Sequence, residues 1–311
     1  MAVTDITYGS RQKSMRVFVT GATGFIGSVV VWDLISAGHQ VLGLSQSEAG
    51  DKSLASAGAE VHRGHLQDLA SLRSGAAKSD AIIHTAFIHD FSKFQENCEI
   101  DARAIEAMGS ELAGSGRPFI VTSGTGMPGP SGLATEDLDP PSVLPRISEQ
   151  AAMAWAGQGV RVSVVRLPQV HNRDKMGLVS PLIAIAREKG ESAYVGDGLN
   201  RWPACHLLDA APLYRLVLEH GVGGARYNAV AEEGIPLRKI AEAIGRGLHI
   251  PVVAETPEKA AEHFGPFAFF VGADLPASSA LTQQRLGWRP TQTTGLLEDL
   301  EHATDFVAHA S

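Results

Sequence analysis

The sequence predicts an α/β protein, a doubly wound parallel sheet completed by a smaller C-terminal lid. Three observations carry that expectation. Apolar runs of strand length alternate with amphipathic stretches from Met15 onward. The strand segments are apolar almost throughout, as in a sheet covered on both faces by helices. A glycine-rich segment joins the first strand to the first helix.

The elements follow in order. Residues 16–20 (RVFVT) read as a buried strand, and 25–37 as a helix stopped by Gly38. A second strand covers 40–44, a short helix contains 54–57, and a third strand covers 60–63. Asp68 can cap a helix running to Gly75, because its carboxylate can accept from free amides of the first turn. The fourth strand is 81–85 (AIIHT), followed by a long helix over 96–113 that Gly114 ends. The fifth strand is 118–122 (PFIVT), and glycine and proline then crowd 124–141. Residues 147–157 read as a helix and 161–166 as the sixth strand. Crossovers between parallel strands are right-handed, so a doubly wound sheet is the simplest topology. After Pro168 the alternation weakens, with helices expected at 180–189, 207–219 and 235–244, the last begun by Pro236. No repeat or low-complexity linker separates the parts. The expected division is a core over 15–170 and a mixed part over 171–311 that completes the sheet and forms the lid.

Composition narrows the function classes. The 311 residues carry 34 acidic against 26 basic side chains, a formal net charge of −8. Such a chain is poorly suited to nucleic acid or anionic membranes, which select clustered Lys and Arg. No apolar run approaches the roughly 18 residues of a membrane span. The first fifteen residues lack the apolar centre of a secretory signal. Cys98 and Cys205 stand far apart, with neither a metal-ligand pattern nor a disulfide framework, which suits a reducing, cytoplasmic setting. None of the twelve histidines sits in a zinc-protease helical motif, so no metal is expected, although scattered ligands could still meet in space.

The glycine segment reads Thr20-Gly21-Ala22-Thr23-Gly24-Phe25-Ile26-Gly27. Gly21 permits a tight turn, Gly24 lets the backbone approach a pyrophosphate, and Gly27 lets helix and strand pack closely. The helix N-terminus offers free amides and a positive dipole end to phosphates. A glycine triplet alone could be a turn without a ligand. The strand before it, the helix after it and the alternating elements downstream point to a dinucleotide-binding Rossmann fold.

On these residues the chain resembles the short-chain dehydrogenases/reductases of the extended, epimerase-like branch, over nearly its whole length. Ile83-His84-Thr85-Ala86 resembles the segment under the nicotinamide ribose, and Ile120-Val121-Thr122-Ser123-Gly124 the strand delivering the active-site hydroxyl. The stretch from Arg166 through Pro168 and Val170 to His171 resembles the family's segment near the nicotinamide amide. Gly196-Asp197-Gly198, Leu208-Asp209-Ala210-Ala211 and Leu286-Gly287-Trp288-Arg289-Pro290 resemble its C-terminal landmarks. The resemblance implies a nicotinamide dinucleotide and a small-molecule substrate. The cofactor contacts it implies are Gly21, Thr23, Gly24, Phe25, Ile26, Gly27, Thr85, Ala86, Pro168 and Val170. A homodimer stays open.

The second strand ends in Ser45, where a carboxylate would bind the ribose 2′-hydroxyl of NAD and repel a 2′-phosphate. Hydroxyls at Ser45 and Ser47 could accept a phosphate and Lys52 could reach it, although the arginine usual in strong NADP binders is absent. The expected cofactor is therefore NADP, with NAD as the alternative. The family's Asp-Leu pair at the adenine is replaced by His65-Leu66, with Leu66 expected against the ring.

One family feature is missing. The Tyr and the Lys four residues later would fall on Pro145 and Glu149, and none of the four tyrosines has a lysine at that offset. A positioned general acid contributes roughly 10²–10⁴ in rate. Ser123 or Thr125 could hydrogen-bond a carbonyl instead. Arg146 could polarise it, although a guanidinium is a poor proton donor. His89 and His171 titrate in a useful range. Arg146 and Glu149 could equally form a helix-face ion pair, and either histidine could be structural. Residues 200–206 and the apolar run 264–271 could contact substrate or could simply pack the lid. Three functions follow: an NADP-dependent reductase or dehydrogenase, an epimerase or dehydratase with transient hydride transfer, and a non-catalytic NADP sensor.

Overall fold

A computed structural model describes residues 14–126, 132–139 and 146–306. Its strands are β1 (Arg16–Thr20), β2 (Gln40–Ser45), β3 (Glu60–Arg63), β4 (Ala81–His84), β5 (Pro118–Gly124), β6 (Arg161–Leu167), β7 (Gln169–His171), β8 (Ser192–Val195), β9 (Arg201–His206), β10 (Arg226–Asn228), β11 (Glu232–Pro236) and β12 (Val252–Glu255). Seven of them form one sheet in the order β10-β6-β5-β4-β1-β2-β3. Every pairing in it is parallel. The expected doubly wound Rossmann sheet is borne out. Between β1 and β4 the winding reverses, which opens a crevice at the carboxyl ends of those strands.

The helices are α1 (Phe25–Ser36), α2 (Glu48–Ser56), α3 (Leu69–Ala77), α4 (Phe94–Leu112), α5 (Ser148–Met153), α6 (Val179–Lys189), α7 (Leu207–His220), α8 (Leu237–Leu248), α9 (Pro257–Phe264), α10 (Ala268–Gly272), α11 (Ala280–Leu286) and α12 (Leu296–Glu301). Strand side chains alternate between faces. Val17 and Val19 of β1 therefore pack with Val30 and Leu34 of α1 and Leu213 and Val217 of α7. Phe18, between them, packs on the other face with Leu72 of α3 and Met108 of α4. A third cluster holds the C-terminal part together around Trp202, Leu182, Ile240, Phe264 and Leu300. Among the described residues, no helix is long and apolar enough to cross a membrane.

Local chemistry explains the boundaries. Asp68 accepts from the Ser71 amide at 3.0 Å and starts α3, as expected. Ser47 accepts from the Gly50 amide and starts α2 well before residue 54, so that helix is longer than its apolar pattern indicated. The helix expected at 235–244 begins later. Residues 232–236 pair antiparallel with β9 as β11, and Pro236, which has no amide to donate, stands at the boundary before α8. The small sheets β11-β9-β7 and β12-β8 had no counterpart in the sequence reading. Their strands are short, and β9 carries Pro203, which has no amide to donate.

Candidate active site

The crevice begins at the turn between β1 and α1. Gly21 has φ +68°, and a Cβ there would lie 2.7 Å from the Ala86 nitrogen. A Cβ on Gly27 would lie 2.0 Å from the Gly21 carbonyl oxygen, so these two glycines serve the fold itself. Gly24 differs. Its Cβ would meet that same carbonyl at 3.1 Å and no other atom in van der Waals contact, leaving its front open. Gly24 caps α1 without a side chain, and the first turn holds no acidic residue. The first amides of α1 are thus free for an anion, with the positive end of the helix dipole behind them. These residues fit a pyrophosphate. Thr23 is exposed on this turn, and Phe25 and Ile26 are half-buried behind it. Thr85 donates its hydroxyl to the Thr20 carbonyl at 2.8 Å, tying the end of β4 to β1 beside Ala86. The sequence reading missed Lys175, which follows β7 and holds its ammonium 5.7 Å from the centre of the Phe25 ring.

The ribose end departs from expectation. Ser45 is buried, and its hydroxyl donates to the Ser47 carbonyl at 3.1 Å. Ser47 accepts from the Gly50 amide. Both hydroxyls are engaged locally, Ser45 the more completely because it is also shielded from solvent. An arginine stands on the neighbouring strand. Register places Arg63 beside Ser45, and its Nε lies 2.7 Å from Asp51 with half the side chain exposed. Lys52 is exposed nearby, and Leu66 is half-buried against the core.

A buried polar chain runs beneath the carboxyl end of β5. Thr20 Oγ1 lies 2.6 Å from His84 Nδ1, and His84 Nε2 lies 3.0 Å from Asp101 Oδ1. Ser148 donates to the other Asp101 oxygen, and Arg146 Nε donates to Ser148 Oγ at 3.0 Å. A second Arg146 nitrogen donates to the Thr122 carbonyl at 3.1 Å, and the guanidinium stacks 4.2 Å over the Phe87 ring. His84, Asp101 and Ser148 are each 1% exposed, so each needs the partners it has. Burial pushes the Asp101 carboxyl up. Hydrogen bonds from His84 and Ser148, and the charges of His84 and Arg146, outweigh it and hold the group below its usual range.

Glu149 does not pair with Arg146. Its carboxylate forms a bidentate pair with Arg166 at 2.7 and 2.8 Å and accepts from Arg226 at 2.9 Å. Arg166 also donates to the carbonyls of Thr135 and Leu138. This corrects the helix-face ion pair allowed by sequence. Among the described residues no carboxylate pairs with Arg146. Pro145 lies outside the described residues.

A model of the NAD dependent epimerase/dehydratase family matches residues 17–229. The chain belongs to that family. Among its relatives is an uncharacterized protein of Schizosaccharomyces pombe, 49% identical over 92% of this chain and 98% of that protein. A sterol-4-alpha-carboxylate 3-dehydrogenase (decarboxylating) of Dictyostelium discoideum is 29% identical over 72% of this chain and 74% of its own length. The fold matches a dTDP-glucose 4,6-dehydratase of Streptomyces venezuelae, solved with NAD bound, at TM-score 0.71 and 19% identity over 95% and 98% of the two chains.

Within this epimerase/dehydratase family member, the other candidates divide. Ser123 and Thr125 lie half-buried at the end of β5, next to the carbonyl that anchors Arg146. His89 is open to solvent on one side and 5.3 Å from Phe87, ring to ring. Packing around it lowers its pKa, and the charges of Arg146 and Lys175 lower it further. His171 belongs to a different cluster. It is 1% exposed, with Nδ1 2.8 Å from Asp299 and its ring 5.5 Å from that of His206. Burial lowers its pKa more than Asp299 raises it. Val170 is buried in the core and Pro168 is half-buried.

Of the lid candidates, Trp202 is fully buried and donates to the Phe270 carbonyl, while Arg201 pairs with Asp274 at the surface. The apolar run at 264–271 does approach the crevice. Phe91, from the loop after β4, meets Phe267 at 4.6 Å and Phe270 at 6.1 Å, and stacks on Phe94 at 5.6 Å. An aromatic wall therefore joins the lid to the sheet on the side where Phe87 carries Arg146.

Proposed function

We propose that the chain is an NADP-dependent reductase or dehydrogenase acting on a small, moderately hydrophobic carbonyl or hydroxyl compound. The observation that carries this reading is Arg146, which no carboxylate among the described residues pairs and which Ser148, Thr122 and Phe87 fix at the carboxyl end of β5. The dinucleotide, when bound, supplies or accepts the hydride. Arg146 steadies negative charge on the substrate oxygen, and Ser123 or Thr125 hydrogen-bonds the same oxygen. The reduced oxygen takes its proton from solvent by way of His89, which is open to water on one side, and Phe87 and Phe91 form the apolar flank of the site. The test is a panel of aldehydes and ketones incubated with reduced dinucleotide, read by nicotinamide absorbance. Net oxidation with one product per dinucleotide supports the reading. Turnover without net change of the dinucleotide points to an epimerase, and tight binding with no turnover points to a sensor.

Gly24 supports dinucleotide binding. Gly24→Val is expected to stay folded, since its Cβ direction is open apart from one carbonyl, and to lose measurable dinucleotide affinity. Calorimetry on a variant with wild-type thermal unfolding checks this. Undiminished affinity would remove the central claim.

NADP is favoured because Ser45 replaces the carboxylate of NAD binders, while Arg63 and Lys52 supply cations beside it. Arg63→Ala is expected to weaken NADP binding and leave NAD binding unchanged. A charge-assisted hydrogen bond contributes about 1.5–3 kcal/mol, roughly ten- to hundredfold in Kd. Equal affinity of the wild type for NAD and NADP would refute the preference.

A further inference from the structure

Three side chains meet at the outer corner of the lid, away from the glycine turn and Arg146. Glu191 stands between α6 and β8, Glu255 ends β12, and His263 lies in the last turn of α9. Their ligand atoms all lie within 4.8 Å of one another. His263 Nδ1 is 3.7 Å from Glu191 Oε1 and 3.8 Å from Glu255 Oε1. Both separations are too long for a hydrogen bond. They are close to the edge of a zinc coordination tetrahedron, about 3.3–3.6 Å for bonds of about 2.0–2.2 Å. The two distances to the imidazole need to close by only a few tenths of an ångström for one ion to meet all three side chains.

The imidazole strengthens the case beyond two converging carboxylates. His263 is 9% exposed, and its buried Nε2 has no hydrogen-bond partner among the described residues. His263 also lines a cavity of about 10 Å³ with Ser192, Leu237 and Phe264. That is close to the volume one water needs, and a metal-bound imidazole ordinarily gives its other N–H to water, a carbonyl or a carboxylate. Two carboxylates and one imidazole suit a borderline divalent ion such as zinc or manganese, and suit the all-oxygen ions calcium and magnesium less well.

We propose that Glu191, Glu255 and His263 form a site for a divalent transition metal that staples α9 to the β8–β12 pair. Phe264 follows His263 directly, and Phe267 and Phe270 lie in the next turns. A metal here would hold the base of the aromatic wall against the rest of the lid. The spacing of the three residues in sequence gives no sign of the site, because the strand pairing and α9 bring them together.

The experiment uses the full chain, free of any histidine tag and stripped with chelator, titrated with zinc chloride by calorimetry. One zinc per chain is expected, with magnesium giving no comparable signal. His263→Gln and Glu255→Gln should each weaken zinc binding by more than about a hundredfold, beyond the 10–100-fold that loss of an outer-shell partner costs. His206→Asn, in the cluster with His171 and Asp299, should leave zinc binding unchanged. X-ray absorption of the zinc-loaded wild type, which needs no variant to fold, should show one imidazole with oxygen donors. No binding by the wild type, equal binding by the Glu255 and His263 variants, loss in the His206 variant, or two-imidazole or sulfur ligation would each overturn the site.

Discussion

Glu149→Ala is expected to destabilise the protein by about 3–5 kcal/mol, the range for breaking a buried ion pair from one side. Arg166 is 1% exposed and Glu149 2% exposed, so the arginine left behind could not turn to water. It would keep its bonds to the Thr135 and Leu138 carbonyls, but those carry no charge to offset its own. Arg226, which also donates to Glu149, would retain Asp139 at the surface. The loss is large against a typical total stability of about 5–15 kcal/mol. Glu149→Gln keeps the shape and one acceptor and should cost less. Urea denaturation of the three proteins, with matched m-values, measures this. A loss under about 1 kcal/mol for the alanine variant would mean that the arginines find other partners. The prediction also separates fold from chemistry, because Glu149, where the resemblance would put a lysine, pairs with arginines inside the core.

How much of this was legible depended on how local each cause is. β1, β3 and the cap at Asp68 depend on neighbours in sequence, and their positions agree with the reading to within a residue or two. The glycine turn was legible for the same reason, since Gly21 and Gly27 answer to backbone that lies next to them. The strands of the lid were not, because β9 takes its pairing from β7 and β11 and shows no clean alternation. The site shows the same division. Ser45 was read as free because nothing in sequence shows that it faces inward. Arg63 was overlooked because the register of β2 against β3, not spacing along the chain, sets it beside Ser45. His84 was noticed as part of a strand motif, but its link through Asp101 to Ser148 joins three segments that only packing brings together. Lys175 and the phenylalanine wall were hidden for the same reason.

Arg146→Ala is expected to lower turnover by about 10²–10³, the cost of removing one preorganised electrostatic donor, about 2.7–4 kcal/mol of barrier. The structure strengthens the argument in two ways. Arg146 is not neutralised by Glu149, whose oxygens serve Arg166 and Arg226. It is also held in place before any substrate arrives, by Ser148 Oγ, the Thr122 carbonyl and the Phe87 ring. Preorganisation of this kind is what makes a charge effective at the moment of reaction. Arg146→Lys should recover part of the rate, since the ammonium keeps the charge but cannot present a planar fork to Ser148 and Thr122 together. Dinucleotide affinity should stay within about twofold in both variants, less than the 1.4 kcal/mol that separates tenfold steps in Kd, because the glycine turn and Arg63 are untouched. The decisive measurement is kcat on the best substrate of the carbonyl panel, with dinucleotide Kd determined alongside. Wild-type kcat in Arg146→Ala would reduce this residue to a structural clamp on the end of β5 and would transfer the polarising role to His89 beside Phe87.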